Sequence, residues 1–339
     1  MLRLLGILVT VLCVIGAAIL TWPQFFHLER EWPIAQAVAF RGIVVLGFAA
    51  LLVLMLLIML IRPLRAFAAS IALIALLAGV ANAAIVYTRG ISGDALPAKT
   101  DGSLRVMTWN TAGAATDPET IARTAVAMEA DIVTLPETTI ETGEQVAVSM
   151  RKLGHRMWAY NKKYSANEWD SGSTTVLISP SLGDYAVVDS TSDGTTNTST
   201  VPSVVAMPVD GDGPIIVAAH AVAPRQSYIT RWTEDLRWIA DQCAADNVIM
   251  AGDFNATLDH MASLGTDGGV MGRCHDAAAA TGSGGIGTWP SDVPALLGAP
   301  IDHVMATDEW VPVGSVVLTS LDGSGSDHRP VVVQLDPAG

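Results

Sequence analysis

Apolar residues follow two patterns along this chain. Across residues 2–20, 42–61 and 66–86 they run with almost no charge. Each run is close to the roughly 20 residues a helix needs to cross a bilayer. From Leu104 onward the apolar runs are short, and they alternate with polar positions or are bounded by Gly, Pro and Asp. That is the pattern of strands and amphipathic helices. It predicts strands over residues 104–111, 131–135, 173–178, 184–189, 203–207, 214–220, 248–251, 301–306, 311–319 and 330–335. Helices are predicted over 121–130, after the start signal Asp117-Pro118, and over 141–153 and 225–243. In the last helix Ile229, Trp232, Leu236, Ile239 and Cys243 recur three and four residues apart, on one face. Residues 162–171 read as a polar loop, 191–200 as a mobile loop or hairpin tip, and 282–287 as a flexible glycine-rich loop. Strands interleaved with helices fit two packed sheets with helices outside. No internal repeat is legible in the pattern.

The three long runs read as membrane spans, because a soluble core helix carries more interior charge. A signal peptide is the alternative for the first. However, Trp22, Pro23 and Gln24 follow it in place of a small-residue cleavage site, and further apolar runs come after. Arg3 flanks the first run, and Arg62 and Arg65 fill the turn between the second and third. The positive-inside rule puts these on the cytoplasmic side. Residues 21–41 and everything after the third run then lie outside, with Arg41 on the wrong side of the arrangement. The expected organisation is a membrane domain over 1–88, a Gly- and Pro-containing linker over 89–103, and a domain over 104–339. That last domain is long enough to bury a sizeable core.

The formal net charge is −14. From Leu104 onward there are 12 Lys and Arg against 29 Asp and Glu, so the C-terminal domain carries all the excess acid. This counts against a broad nucleic-acid groove, whose affinity comes from Lys and Arg on phosphates. It leaves room for a site that recruits divalent cations to handle a phosphate. Cysteine is scarce, and no CxxC or zinc-knuckle spacing occurs. Cys243 and Cys274 have two readings: a disulfide, if the domain lies outside the cytoplasm, or two buried thiols.

Chemistry gathers at predicted strand ends. Asn110, Glu137, His220, Asp253 with Asn255, and Asp327 with His328 each follow or precede a strand, and Asp302 opens one. In α/β sheets such ends build sites. Carboxylates, amides and imidazoles without thiolates form a hard-ligand set suited to magnesium, manganese or calcium.

GDFN (residues 252–255) and SDHRP (326–330), in this order and spacing, resemble the endonuclease/exonuclease/phosphatase superfamily. The likeness spans essentially all of residues 104–334. It implies a DNase I-like four-layer α/β sandwich, two packed β-sheets flanked by helices, here preceded by three transmembrane helices. It also implies metal-dependent phosphoester hydrolysis. By the same resemblance Glu137 is the main metal-binding carboxylate, with Asn110 beside it and Asp327 a further metal-associated acid. Asp253 orients or deprotonates the attacking water, and Asn255 holds the phosphoryl oxygen. His328, oriented by Asp302, stabilises or protonates at the scissile phosphate, and His220 is the second catalytic histidine. The magnesium (or manganese or calcium) ion offsets phosphate charge while the imidazole donates where charge develops. Two departures stand out. Pro136 precedes the metal glutamate where glutamine is usual. The tyrosine or arginine that some nuclease branches place near the phosphate has only Tyr164 and Arg225 as candidates.

Three spans, a linker and an outside domain, with GTWP (287–290) shortly before IDHV, are similar to VanJ-like teicoplanin-resistance membrane proteins. That similarity implies a phosphate-containing substrate of the cell envelope, such as a lipid-linked phosphate or pyrophosphate, and contact with the bilayer through the N-terminal helices. A surface nuclease and a non-catalytic envelope scaffold or sensor are the other readings. Nucleic acid is the less favoured partner, and the oligomeric state stays open. Among the remaining residues, His303 reads as structural, and His155, His260 and His275 as loop or surface positions. Asp259 reads as a helix cap, with contact to the site as the alternative. Trp158, Trp169 and Trp289 read as core residues, with a substrate cleft as the alternative.

Overall fold

The computed structural model describes residues 2–92, 95–164, 172–188 and 197–339. The chain divides into two compact units, Met1–Thr88 and Arg89–Gly339. The first contains α1 (Leu2–Thr21), α2 (Ile34–Ala39), α3 (Arg41–Ile58) and α4 (Arg65–Thr88). Three of its helices are long and apolar enough to cross a membrane. Small residues such as Ala17, Ala75 and Ala78 pack around Phe48, letting the helices approach closely. Arg41 is buried rather than a loop charge. Its guanidinium donates to Asn82 Oδ1 and to the carbonyls of Leu20 and Thr21, while Asn82 Nδ2 donates to Thr21 Oγ1 at 3.0 Å. That tie between three helices is why a basic residue sits against the charge pattern.

The second unit opens with β1 (Leu104–Thr108), α5 (Pro118–Ala127), β2 (Ile132–Pro136), α6 (Ile140–Lys152), β3 (Trp158–Lys163) and β4 (Ser173–Ile178). It crosses to a second sheet with β5 (Tyr185–Val188), β6 (Val204–Pro208), β7 (Ile215–His220), α7 (Ile229–Gln242) and β8 (Val248–Asp253), then β9 (His275–Asp276), α8 (Ala277–Ala280) and β10 (Asp302–Ala306). It returns to the first sheet with β11 (Trp310–Val317) and β12 (Val331–Pro337). The strand orders are β11-β12-β1-β2-β4-β3 and β5-β6-β7-β8-β10-β9.

Each sheet is built round one parallel pair, β1 with β2 and β7 with β8. A helix makes each parallel crossover, α5 in the first sheet and α7 in the second. The neighbours of both pairs are antiparallel. Val106, Ile132, Val176, Ala218, Ala251 and Val304 meet in the core between the sheets. Met107, Val133 and Leu135 point the other way, against Ile121 and Ala125 of α5 and Val146 and Met150 of α6. The result is two packed mixed sheets flanked by helices, the expected DNase I-like fold.

Local chemistry explains the boundaries. Asp117 caps α5 by accepting from Thr120 N at 3.1 Å, with Pro118 in its first turn. Gly252 is required by close approach: a Cβ there would lie 1.9 Å from Ala219 O. Cys243 and Cys274 form a disulfide.

Four expectations change. The sequence reading missed β3, a half-exposed polar edge strand (WAYNKK) recruited by pairing with β4; tertiary pairing overrides weak strand propensity. Residues 165–171, including Trp169, and residues 189–196, which take in the end of the expected strand 184–189 and most of the expected mobile segment 191–200, lie outside the described residues. The stretch 282–287, expected to be flexible, is tied down instead. Ser283 N, Gly285 N and Gly287 N donate to Ala278 O, Gly90 O and Ala295 O, each at 2.8 Å. The stretch read as a linker also begins inside the second unit: Arg89 grips buried Asp259 bidentately, both contacts 2.8 Å. Asp259 is therefore an ion-pair partner rather than a helix cap.

Alternate residues of β10 face opposite ways. Asp302 points between the sheets, whereas His303 points out toward Asp276 Oδ2 (2.6 Å) and Ala256 O (2.8 Å). Its ring meets Phe254 edge-on at 5.3 Å. Burial alone would depress the His303 pKa, but the Asp276 charge and hydrogen bond outweigh it, and the net shift is upward. A raised folded-state value gives stability that is full below about pH 6.5, the ordinary imidazole value, and is lost as pH rises through the folded value. An NMR titration of His303 is expected to have its midpoint above that ordinary value. A midpoint below it would mean that burial, not Asp276, dominates.

Candidate active site

The rim of the sandwich is where the two parallel pairs end together. In the second sheet, register sets His220 opposite Asp253 and Asp253 opposite Asp302. In the first, Asn110 lies two residues past β1 and Glu137 one residue past β2. The loop before β12 brings Asp327 and His328, and a staple fixes it there: His328 N donates to Ser326 Oγ (2.9 Å), which donates to Asn110 O (2.6 Å). Trp109 Nε1 donates to His328 O at 2.9 Å. Side chains far apart in sequence thus share one rim.

The polar atoms form a continuous line. Asp327 Oδ1 is 4.0 Å from His328 Nε2, which is 3.8 Å from Asp253 Oδ2. Asn110 Nδ2 donates to Asp253 Oδ2 at 3.0 Å and to Glu137 Oε1 at 3.2 Å. Glu137 Oε1 is 3.9 Å from His220 Nε2. Behind the line, Asp302 Oδ2 lies 2.8 Å from His328 Nδ1. Asn255 N and Nδ2 donate to Asp253 at 2.8 and 3.3 Å, and Nδ2 also to Ala221 O at 2.9 Å. All eight residues singled out in the sequence therefore lie in one neighbourhood. Glu137 and Asn255 hold positive φ, 57° and 47°. Side chains rarely adopt that conformation, and it concentrates where surrounding structure dictates a functional geometry.

Electrostatics divides the two histidines. His220 is buried and pushed down to about 3, first by burial and then by His328, so it is neutral. Burial alone would depress His328 too, but Asp302 and then Asp253 push it up to about 10, so it is an imidazolium. Burial, then the charge of Asp302, raises Asp253 above the ordinary carboxylate range, with His328 and Asn110 pulling back.

One ligand atom each of Asp253, Asp302 and His328 falls within 4.8 Å of the others, a group that could hold a metal ion. Two features favour the outer carboxylates for that role. Asp253, Asp302 and His328 are buried, and His328 Nδ1 is already engaged by Asp302. Glu137 and Asp327 have side chains 29% and 57% exposed and can admit a hydrated ion. Their hard oxygen donors fit a divalent cation of the magnesium type. Asn110 turns its amide nitrogen to both carboxylates, and its oxygen accepts from Ala112 N at 2.9 Å.

Other candidates sort differently. Trp289, read as core, lies at the site: its Nε1 donates to Asp327 Oδ2 at 2.8 Å. Buried Arg329 holds the Trp289 loop by donating to carbonyls of Gly287, Pro290, Ser291 and Val293 while pairing with Asp322. The sequence reading quoted SDHRP without assigning its arginine this work. Trp158 lines a groove of about 760 Å³ between α6 and β3 that shares no residue with the site. The Tyr164 hydroxyl donates to Thr198 O, and Arg225 is exposed on the turn after β7. His260, read as a loop or surface position, lies in a loop but is buried against Trp232, with Nδ1 accepting from Thr257 N. His155 bonds Ala130 O, and His275 pairs with Asp308.

Residues 107–328 match the Endonuclease/Exonuclease/phosphatase family. No curated protein matches the chain. Among solved structures, an endonuclease/exonuclease/phosphatase from Beutenbergia cavernae DSM 12333 is 21% identical, with 70% of this chain and 72% of that one covered and a TM-score of 0.53. A D. rerio TDP2 humanized by 14 mutations is 16% identical, covering 69% and 99%, with a TM-score of 0.52. A family protein from Leptotrichia buccalis C-1013-b is 13% identical, covering 69% and 99%, with a TM-score of 0.53. At these identities the likeness is one of fold.

Asp302→Asn is expected to bring the His328 pKa down from about 10 toward the ordinary imidazole range, followed by NMR in EDTA. An unmoved midpoint would show that Asp302 is not the source of the shift.

Proposed function

The chain belongs to the endonuclease/exonuclease/phosphatase family, whose members are metal-dependent hydrolases of phosphoester bonds. From that premise we propose that it is a membrane-anchored phosphoesterase acting outside the cytoplasm on a cell-envelope phosphate or pyrophosphate ester. The observation that carries the hydrolase reading is the unbroken polar line from Asp327 to His220 at one rim. Glu137 and Asp327 would hold a divalent cation, which when bound would offset phosphate charge, and Asn110 fixes the carboxylate of Glu137 beside that of Asp253. Asp253, made more basic by burial, takes a proton from the attacking water. Asn255, whose amide donates to Asp253 and to Ala221 O, would hold the phosphoryl oxygen beside that water. His328, kept protonated by Asp302, donates to oxygen where negative charge develops. His220, neutral, supplies a hydrogen bond without adding charge.

Three features support the location. The apolar helices are long enough to span a bilayer. The Cys243–Cys274 disulfide belongs with an oxidising compartment. Arg41, buried with Asn82 and Thr21, no longer counts against the positive-inside arrangement. An anchored site works where lipid headgroups are concentrated. The same plan supports a VanJ-like assignment. A nuclease is the second reading, favoured by a D. rerio TDP2 structure complexed with a single-strand DNA product (17% identical, TM-score 0.51). The acid excess of the C-terminal unit opposes it.

The full chain in detergent with magnesium is expected to release phosphate from undecaprenyl pyrophosphate and to leave plasmid DNA intact. EDTA should abolish turnover, and His328→Ala should lower it by about 10²-fold or more. DNA cleavage lost in the same variant would transfer the assignment to a nuclease. Full turnover in the variant would sink the proposed roles.

A further inference from the structure

Five buried side-chain atoms beneath the candidate site have no hydrogen-bonding partner among the described residues: Oγ1 of Thr108, Thr134 and Thr174, Nδ1 of His220 and Oδ1 of Asp302. All five residues are at least 97% buried. Native structures rarely leave such groups unpaired, and each instance calls for a physical explanation.

Their placement supplies one. Strand periodicity puts Thr108, Thr134 and Thr174 on the same inward face as Val106, Ile132 and Val176, one pleat nearer the rim. Thr108 pairs directly with Thr134, and Thr174 is diagonal to Thr134, since Val176 is the residue opposite it. On the second sheet His220, Asp253 and Asp302 form one row, again one pleat beyond Ala218, Ala251 and Val304. Across the sandwich β1 packs on β8 and β10, β2 on β7 and β8, and β4 on β7. A row of threonine hydroxyls therefore faces the row of candidate catalytic side chains.

We propose that this inter-sheet layer is a hydration site, in which ordered water held by Thr108, Thr134 and Thr174 bonds His220 Nδ1 and Asp302 Oδ1 and so positions both side chains. The donor and acceptor inventory selects water. The Glu137 carboxylate beside His220 Nε2 favours the hydrogen on that nitrogen, leaving Nδ1 an acceptor. Asp302 Oδ1 is an acceptor as well. A ligand must donate to both while accepting from hydroxyls, as water does with two to four polar partners. An anion would be repelled by Asp253 and Asp302. A metal cation would find few free ligand atoms, because Asp253 already accepts from Asn110 and Asn255, and Asp302 Oδ2 is engaged with His328 Nδ1. The layer thus fixes the His220 tautomer and the plane of the carboxylate that orients His328. The threonines are positioning residues, acting through His220 and Asp302.

The consequence for turnover rests on the hydrolase reading; the binding site does not. The test uses the full chain in detergent with Thr134→Val and Thr134→Ser. It measures unfolding temperature, turnover of bis(p-nitrophenyl) phosphate, and solvent density in crystals. The wild type should show water within hydrogen-bonding distance of Thr134 Oγ1 and His220 Nδ1. Thr134→Val should lose that water, unfold at lower temperature and lose about tenfold in kcat with KM unchanged. Thr134→Ser should restore all three, and Thr108→Val stands in if Thr134→Val does not fold. A valine variant that unfolds at higher temperature with unchanged kcat would overturn the proposal, because removing a hydroxyl that binds nothing relieves a penalty. Lower stability with unchanged kcat would overturn the positioning role. If the wild type turns over no ester, the hydrolase reading fails, and the crystals and unfolding still decide the water.

Discussion

The site depends on strand register. Asp253 stands between His220 and Asp302 because β8 pairs in parallel with β7 and antiparallel with β10, with those three residues opposite one another. Side chains alternate between faces, so a slip of one residue in either pairing would turn the row out of the inter-sheet space. Gly252 helps to hold the register. It lets β8 lie so close to Ala219 that no other residue fits. From the outer face His303 braces the same turn, taking the carbonyl of Ala256 and the edge of Phe254.

Given that row, the opposing sheet can do its part only if the same strand ends meet it. The two sheets share one scheme: a central parallel pair with two antiparallel strands on each side. Each parallel pair needs a helical crossover, and the chain provides α5 and α7. Packing the sheets face to face brings the ends of β1 and β2 over those of β7 and β8. Asn110 then bridges the halves, bonding Glu137 from its own sheet and Asp253 from the other. At this junction burial makes His220 neutral, while Asp302 and Asp253 keep His328 charged against it, so two identical side chains suit different tasks.

The segments around the rim are held by side-chain contacts. Arg329 gathers four carbonyls and Asp322, setting the loop from which Trp289 reaches Asp327. Arg89, the residue after the third apolar helix, is locked to Asp259, four residues beyond Asn255. Polar contacts of this kind carry no periodicity, and so they escape a reading based on pattern.

The sequence by itself determined the three apolar helices, the strand-helix alternation and the set of polar residues at strand ends. Each is a local property: hydrophobic run length, period, and the residue type where a run stops. It also pointed to Asn110, Glu137, His220, Asp253, Asn255, Asp302, Asp327 and His328, because motifs keep neighbours in fixed spacing. Tertiary structure decided the rest. Edge strand β3 exists because β4 offers it a partner. The stretch 282–287 is ordered because Gly90, Ala278 and Ala295 accept its N–H groups. The orphaned threonine row is visible only when two sheets are laid together, since Thr108, Thr134 and Thr174 look like ordinary strand residues in the sequence. Burial, and with it every shifted pKa at the site, is a sum over neighbours that no single segment contains.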